Sequence, residues 1–168
     1  MNTIKGYISI LALTMMLAAA AFSQTVLTSP DGSRIDVDAQ RGKVVVLAIG
    51  AAWLPLSAKQ AEITNALAKK YSGKDVVLYF VATDSTNAKS KNFASDADVR
   101  SFATDNKLSV SVLRDSDGSV MMRKYQIEQV PSFVILDKQG KPAGEPFGGI
   151  DPKFDLAGAI SRVIDKLL

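Results

Sequence analysis

Lys43-Val44-Val45-Val46-Leu47-Ala48-Ile49-Gly50-Ala51-Ala52-Trp53-Leu54-Pro55-Leu56-Ser57 is the stretch on which the reading of this chain turns. Its first part, Lys43 to Ile49, is an unbroken apolar run of the kind buried on both faces of a parallel sheet. From about Pro55 to Tyr71 the pattern changes to helical, with Leu56, Ile63 and Leu67 expected on one face and Gly73 just beyond the end. A second buried strand follows, Val76-Val77-Leu78-Tyr79-Phe80-Val81-Ala82. Two parallel strands joined by a helix form a right-handed crossover, so both strand ends and the helix start share one edge of the sheet.

Outward from this unit, Val26-Leu27 and Ile35-Asp36-Val37 flank the turn signal Ser29-Pro30-Asp31-Gly32, which predicts an N-terminal hairpin. Thr83 to Asn92 is polar and aperiodic, a loop on the same edge as the helix start and a candidate rim for recognition. Ser95-Asp96-Ala97-Asp98 caps a helix running to about Asn106, and Val110 to Leu113 is a short strand or extended segment. Asp115-Ser116-Asp117-Gly118 has too few ligands for a calcium loop and reads as a turn. Val120 to Tyr125 is a short helix, with Met121 and Met122 as core fillers. After Val130-Pro131 comes the strand Ser132 to Leu136, a turn at Asp137 to Gly140, and a final strand near Pro142 to Phe147 broken by Gly148-Gly149. Asp151 as N-cap with Pro152 at the first helical position opens the last helix, whose stripe is Leu156, Ile160, Val163, Ile164 and Leu167.

Composition narrows the chemistry. At 168 residues and 47% apolar content the chain suits one domain with a substantial core. Met1 to about Ser23 carries Lys5, an apolar run from Ile8 to Ala21 and small residues near its end, the layout of a secretory signal cut after Ala21 or Ser23. The expected organisation is therefore a signal peptide over 1–23 and one domain over 24–168, exported to the periplasm or secreted. The run is shorter than a comfortable bilayer span, so membrane contact is expected only through a transient or uncleaved N-terminal segment. Without Lys5 the chain has 19 basic and 17 acidic residues, dispersed and too balanced for a nucleic-acid footprint. There is no cysteine and no histidine. That removes thiolate nucleophiles, Cys or His metal ligands and every Ser-His-Asp or Cys-His arrangement, and no metal or cofactor is expected.

Four local motifs occur in order: Gly42-Lys43-Val44-Val45, Trp53-x-Pro55, Leu113-Arg114-Asp115-Ser116-Asp117-Gly118, and Tyr125-x-Ile127-x-x-Val130-Pro131-Ser132-Phe133. Together they resemble the thioredoxin-like superfamily, in particular the extracytoplasmic redoxins of cytochrome c maturation, over nearly the whole of 26–168. The resemblance implies an α/β thioredoxin-like three-layer sandwich, with a central mixed sheet, helices on both faces and an N-terminal hairpin. It implies a Trp-Cys-Pro-x-Cys site, whose cysteine positions are here Leu54 and Ser57. It further implies a cis Val130–Pro131 bond opposite the helix start, with Val130 pairing to an extended substrate segment.

The first family cysteine reacts as a thiolate favoured by a helix N-terminus. Leu54 has no ionisable group, and Ser57 has no histidine to activate it, so thiol-disulfide exchange within the chain is chemically impossible. Two functions follow as expectations. In the first, Trp53, Leu54, Pro55, Leu56 and Ser57 beside Val130 and Pro131 form a groove for an extended peptide or an envelope protein, in a redox-inactive scaffold. The competing structural expectation is that Leu54 and Leu56 simply fold into the core. In the second, the chain is a thiol oxidoreductase or peroxiredoxin by descent with a different activity, for which Asp84 with Asp151 is the candidate carboxylate pair. Asp84 otherwise reads as a loop cap or surface charge.

Overall fold

The computed structural model describes residues 24–151 and 153–168, so the expected signal segment and Pro152 lie outside the described residues. Seven strands form one sheet: β1 (Val26–Thr28), β2 (Arg34–Asp36), β3 (Val44–Gly50), β4 (Val76–Ala82), β5 (Ser111–Arg114), β6 (Ser132–Leu136) and β7 (Phe147–Gly148). Their order across the sheet is β2-β1-β5-β4-β3-β6-β7. β3 pairs parallel with β4 along its whole length, Val44 opposite Val76 through Gly50 opposite Ala82, and antiparallel with β6, Ile49 opposite Ser132. The central strand has neighbours on both sides and cover on both faces, and every residue in it is buried.

Among the described residues four α-helices flank the sheet: α1 (Pro55–Lys70), α2 (Asp96–Asp105), α3 (Met121–Lys124) and α4 (Leu156–Leu167). Alternate residues of β3 feed two cores, because successive side chains of a strand point to opposite faces. Val44, Val46 and Ala48 pack with Leu67, Tyr71, Val99, Leu156, Ile160 and Ile164, which places α1, α2 and α4 on one face. Val45, Leu47 and Ile49 pack with Leu27, Val37, Met121 and Tyr125, which places α3 on the other. The arrangement is the expected three-layer sandwich with a mixed sheet and an N-terminal hairpin. Among the described residues, no helix is long and apolar enough to cross a membrane.

Local chemistry explains several boundaries. α2 begins with a complete capping box, in which Ser95 Oγ accepts from the Asp98 N–H and the Asp98 carboxylate accepts from the Ser95 N–H. Gly73, with φ +76, follows the end of α1 in the left-handed conformation. The Val130–Pro131 peptide is cis.

Three readings need correction. α4 starts at Leu156 and not after Asp151: Asp155 is its N-cap and accepts from the Gly158 N–H, while Asp151 accepts from the Lys153 N–H in a separate turn. The strand expected near Pro142 to Phe147 is reduced to Phe147–Gly148 plus a single bridge between Leu136 and Pro142. Gly144 at φ +136 interrupts the segment, and Gly148 pairs with Ser132 where it was expected to break the strand. On α1, Leu56 does not join Ile63 and Leu67 inside; it is 45% exposed. Ser57, its neighbour in the same turn, is the residue that faces inward there: it is fully buried and accepts from the Ala51 N–H, which leaves Leu56 on the outer side. The inward face of α1 is instead Ser57, Gln60, Ala61, Thr64 and Leu67.

Candidate functional site

The C-terminal ends of β3 and β4, the start of α1 and the segment before β6 meet at one edge of the sheet. Between Gly50 and Pro55 the chain makes a tight turn, closed by the Leu54 N–H on the Ala51 carbonyl. Leu54 is the N-cap residue of α1 and contributes no side-chain cap, and Pro55 takes the first helical position, where its missing N–H costs nothing. The first cysteine position of the resembled motif thus sits at a helix N-terminus with no group to ionise.

Ser57 is fully buried, and its hydroxyl accepts from the Ala51 N–H at 3.2 Å. It braces the turn from inside and presents nothing to a ligand, which corrects its expected place in the groove. Gln60, one turn on, is also fully buried and donates through Nε2 to the carbonyls of Ile49 at 3.2 Å and Ser132 at 2.9 Å. It pins α1 to β3 and β6 together. Gly50 is required here, because a Cβ at that position would run into Gln60 Oε1 and stand 3.0 Å from Ser57 Oγ.

Asp84 is not a surface charge. It is fully buried after β4, and both carboxylate oxygens accept from the Ala52 N–H, at 2.9 and 3.0 Å. The guanidinium of Arg114, itself buried, stands 4.0 Å away, donates through Nη2 to the Ala94 carbonyl at 2.8 Å and lies 3.3 Å from Asp96. Asp84 therefore fixes the backbone ahead of Trp53, and Arg114 ties that same region to the approach to α2. The proposed carboxylate pair does not share one environment: β3 and β6 lie between β4, which leads to Asp84, and β7, which precedes Asp151, and Asp84 is fully buried while Asp151 is exposed. No cluster of three or more metal-ligating side chains exists among the described residues.

What remains exposed at this edge is apolar. Trp53 is 48% exposed and Leu56 45%, with Pro55 exposed and Leu54 half-buried. Leu54 and Leu56 thus lie at the surface and not in the core. Pro131 is buried beside Ser132, whose partner is Ile49, so one further step of the β3–β6 register brings Pro131 level with Gly50. The Pro131 carbonyl is taken by the Gly149 N–H. Val130 is half-buried, and its own N–H and carbonyl take part in no hydrogen bond among the described residues. Thr83, Asp84 and Ser85 are buried, so only 86–92 of the polar loop can act as a rim.

One residue was missed by the sequence reading. Phe93 lies just past the loop, is 40% exposed, and with Trp53 lines a groove of about 400 Å³ between the start of α1 and α2. Ser85 and Phe93 form a bridge that closes the loop and holds Phe93 in place. A lone aromatic inside a polar stretch was the available signal.

Comparison with known proteins agrees with this geometry. The AhpC/TSA family profile matches residues 18–141. The chain is 26% identical to the thiol-disulfide oxidoreductase ResA of Bacillus cereus over 138 residues, 82% of this chain and 73% of that protein. Among solved structures it resembles a secreted Mycobacterium tuberculosis disulfide oxidoreductase homologous to E. coli DsbE, with TM-score 0.66, 22% identity, and 86% and 96% of the two chains covered. It also resembles the exposed lipoprotein thioredoxin Etrx1 of Streptococcus pneumoniae, with TM-score 0.67, 24% identity, and 86% and 100% covered. With the fold, the helix-start turn and the Val-Pro segment in their places, this cysteine-free chain belongs to the thioredoxin-like AhpC/TSA family.

Proposed function

We propose that this chain is an exported, redox-inactive thioredoxin-like module that binds an extended peptide or an envelope protein at the former redox edge. The observation that carries the reading is the backbone of Val130: a half-buried N–H and carbonyl without partners among the described residues, one residue before Pro131. Buried and partly buried backbone groups are rarely left unmatched, and an extended segment laid beside Val130 supplies both partners at once. Trp53, Leu54, Pro55 and Leu56 give that segment an apolar surface to cover, and exposed clusters of this kind mark interaction sites.

The loss of cysteine supports binding without turnover, since no atom of the chain can form the mixed disulfide through which exchange proceeds. Export is supported by the layout of residues 1–23 and by the secreted and exposed relatives. The test is recovery of partners from envelope extracts by the chain and by Leu54→Asp, which places a charge on the apolar edge without touching the Asp84, Ser57 or Gln60 braces. Partners lost in the variant support the reading; an unchanged set removes the edge from it.

A further inference from the structure

The groove between Trp53 and α2 carries charge as well as aromatic surface. Its lining includes Trp53, Phe93 and Phe102 together with Asp98, Asp105 and Asn106, and no lysine or arginine. In a chain of net charge +3 this is a local reversal of sign. Lys59 on α1 is paired to Glu62 at 2.6 Å, and Lys89 and Lys91 stand in the loop before Phe93, outside the lining.

The two carboxylates differ in what the fold asks of them. Asp98 completes the α2 capping box through Oδ2, which accepts from Ser95 N and Oγ; these bonds hold its carboxyl below the ordinary range, and Oδ1 stays open. Asp105 ends α2, where a negative charge opposes the helix dipole, and no basic residue in the last turn offsets it. Among the described residues its one hydrogen bond is from Ser101 Oγ, at 3.3 Å to Oδ2. Helix stability therefore gives no account of Asp105. Aromatic faces and carboxylates sharing one groove are the chemistry that receives an organic cation.

We propose that this groove seats an arginine or lysine side chain of the polypeptide that docks at the sheet edge, an inference that rests on the binding function above and specifies its partner. The segment runs extended past Val130, with its cationic side chain between Trp53 and Phe93 and its charge directed at Asp98 and Asp105. An anionic membrane surface is disfavoured by the same two carboxylates.

Trp53 is the single tryptophan of the chain, so its fluorescence reports occupancy of this groove directly. The experiment titrates the full chain with three hexapeptides of serine and valine that differ only in a central Arg, Gln or Glu. The expected order of affinity is Arg over Gln over Glu. Asp105→Lys, at an exposed position outside every brace, weakens the Arg peptide roughly fivefold and leaves the Gln peptide unchanged, as expected for loss and reversal of one solvent-exposed charge contact. Raising the salt from 0.05 to 0.5 M narrows the same gap. Gln and Glu peptides binding as tightly as Arg would overturn the cation assignment and leave the groove as a binding edge. Free arginine amide binding as tightly as the Arg peptide would overturn the polypeptide assignment. Binding to phosphatidylserine vesicles with no response to any peptide would overturn this inference and the function it rests on.

Discussion

Replacing Asp84 by Ala removes the acceptor for the Ala52 N–H and the buried one of the two carboxylates beside Arg114 in a single step. The lost hydrogen bond is charge-assisted and buried, worth about 1.5–3 kcal/mol. Leaving one member of a buried ion pair unmatched costs about 3–5 kcal/mol in general. Here the lower end applies, because the closest Arg114–Asp84 approach is 4.0 Å and Arg114 keeps the Ala94 carbonyl and Asp96. The two contributions overlap, and the expected loss is about 3 kcal/mol, or a fall in Tm of about 6–12 °C for a domain of this size. Urea unfolding followed by Trp53 fluorescence reads it as a lower midpoint at unchanged slope. Asp84→Asn, which keeps one acceptor oxygen, is expected to lose less than half as much. Because the cost comes partly from Arg114 losing one of its two carboxylate neighbours, Asp84→Ala is expected to cost at least about 1 kcal/mol less in an Arg114→Met background. A loss below about 0.5 kcal/mol for Asp84→Ala, or the same loss with and without Arg114, refutes the role given to this pair.

Gly50→Ala is expected to cost about 2–4 kcal/mol, since its methyl displaces Gln60 from two buried carbonyls, whereas Gly32→Ala meets only its positive φ and open space. Equal midpoints for the two variants in urea would contradict the brace. For Asp38, burial pushes the carboxyl up, but the hydrogen bonds from Lys124 and Thr25 outweigh it and the folded value is lowered. Its contribution to stability is therefore full above the ordinary value of 3.8 and fades as the pH falls through the lower folded value. The midpoints of the chain and of Asp38→Asn should differ at pH 6 and converge toward pH 2; a constant difference rejects the linkage. Leu54→Cys combined with Ser57→Cys restores a dithiol one helical turn apart, with the first thiol at the N-terminus of α1. Dithiothreitol-driven insulin reduction should accelerate with this variant and stay at background with the parent chain, and thiol titration showing no disulfide would reject the retained geometry.

Most of the fold was legible because its strongest signals are local. β3 and β4 are unbroken apolar runs, and α2 announces itself through Ser95 and Asp98. The errors fall where tertiary context overrides pattern. Leu56 has the right spacing for an inner face, but Ser57 takes the inward position of that turn, and the true inner face carries Ser57, Gln60 and Thr64, polar residues that periodicity assigns to solvent. Asp151 looked like a cap because Pro152 follows it, yet Asp155 takes the role four residues later. Trp53, Pro55 and Val130 could be placed from their motifs, whereas Phe93 belongs to the groove only because the Ser85–Phe93 bridge folds the loop back beside Trp53. That contact is between segments that sequence spacing does not relate.

The central claim, that an extended segment docks against the backbone beside Pro131 without any chemistry, is tested most directly by the amide of Val130. In the free chain that N–H has no partner among the described residues and should exchange with solvent quickly. On saturation with the Arg hexapeptide, nitrogen-resolved NMR should show the Val130 amide shifted and its exchange slowed at least tenfold, with Trp53 shifting in the same titration. An unchanged Val130 amide while the peptide perturbs a different face would contradict the account.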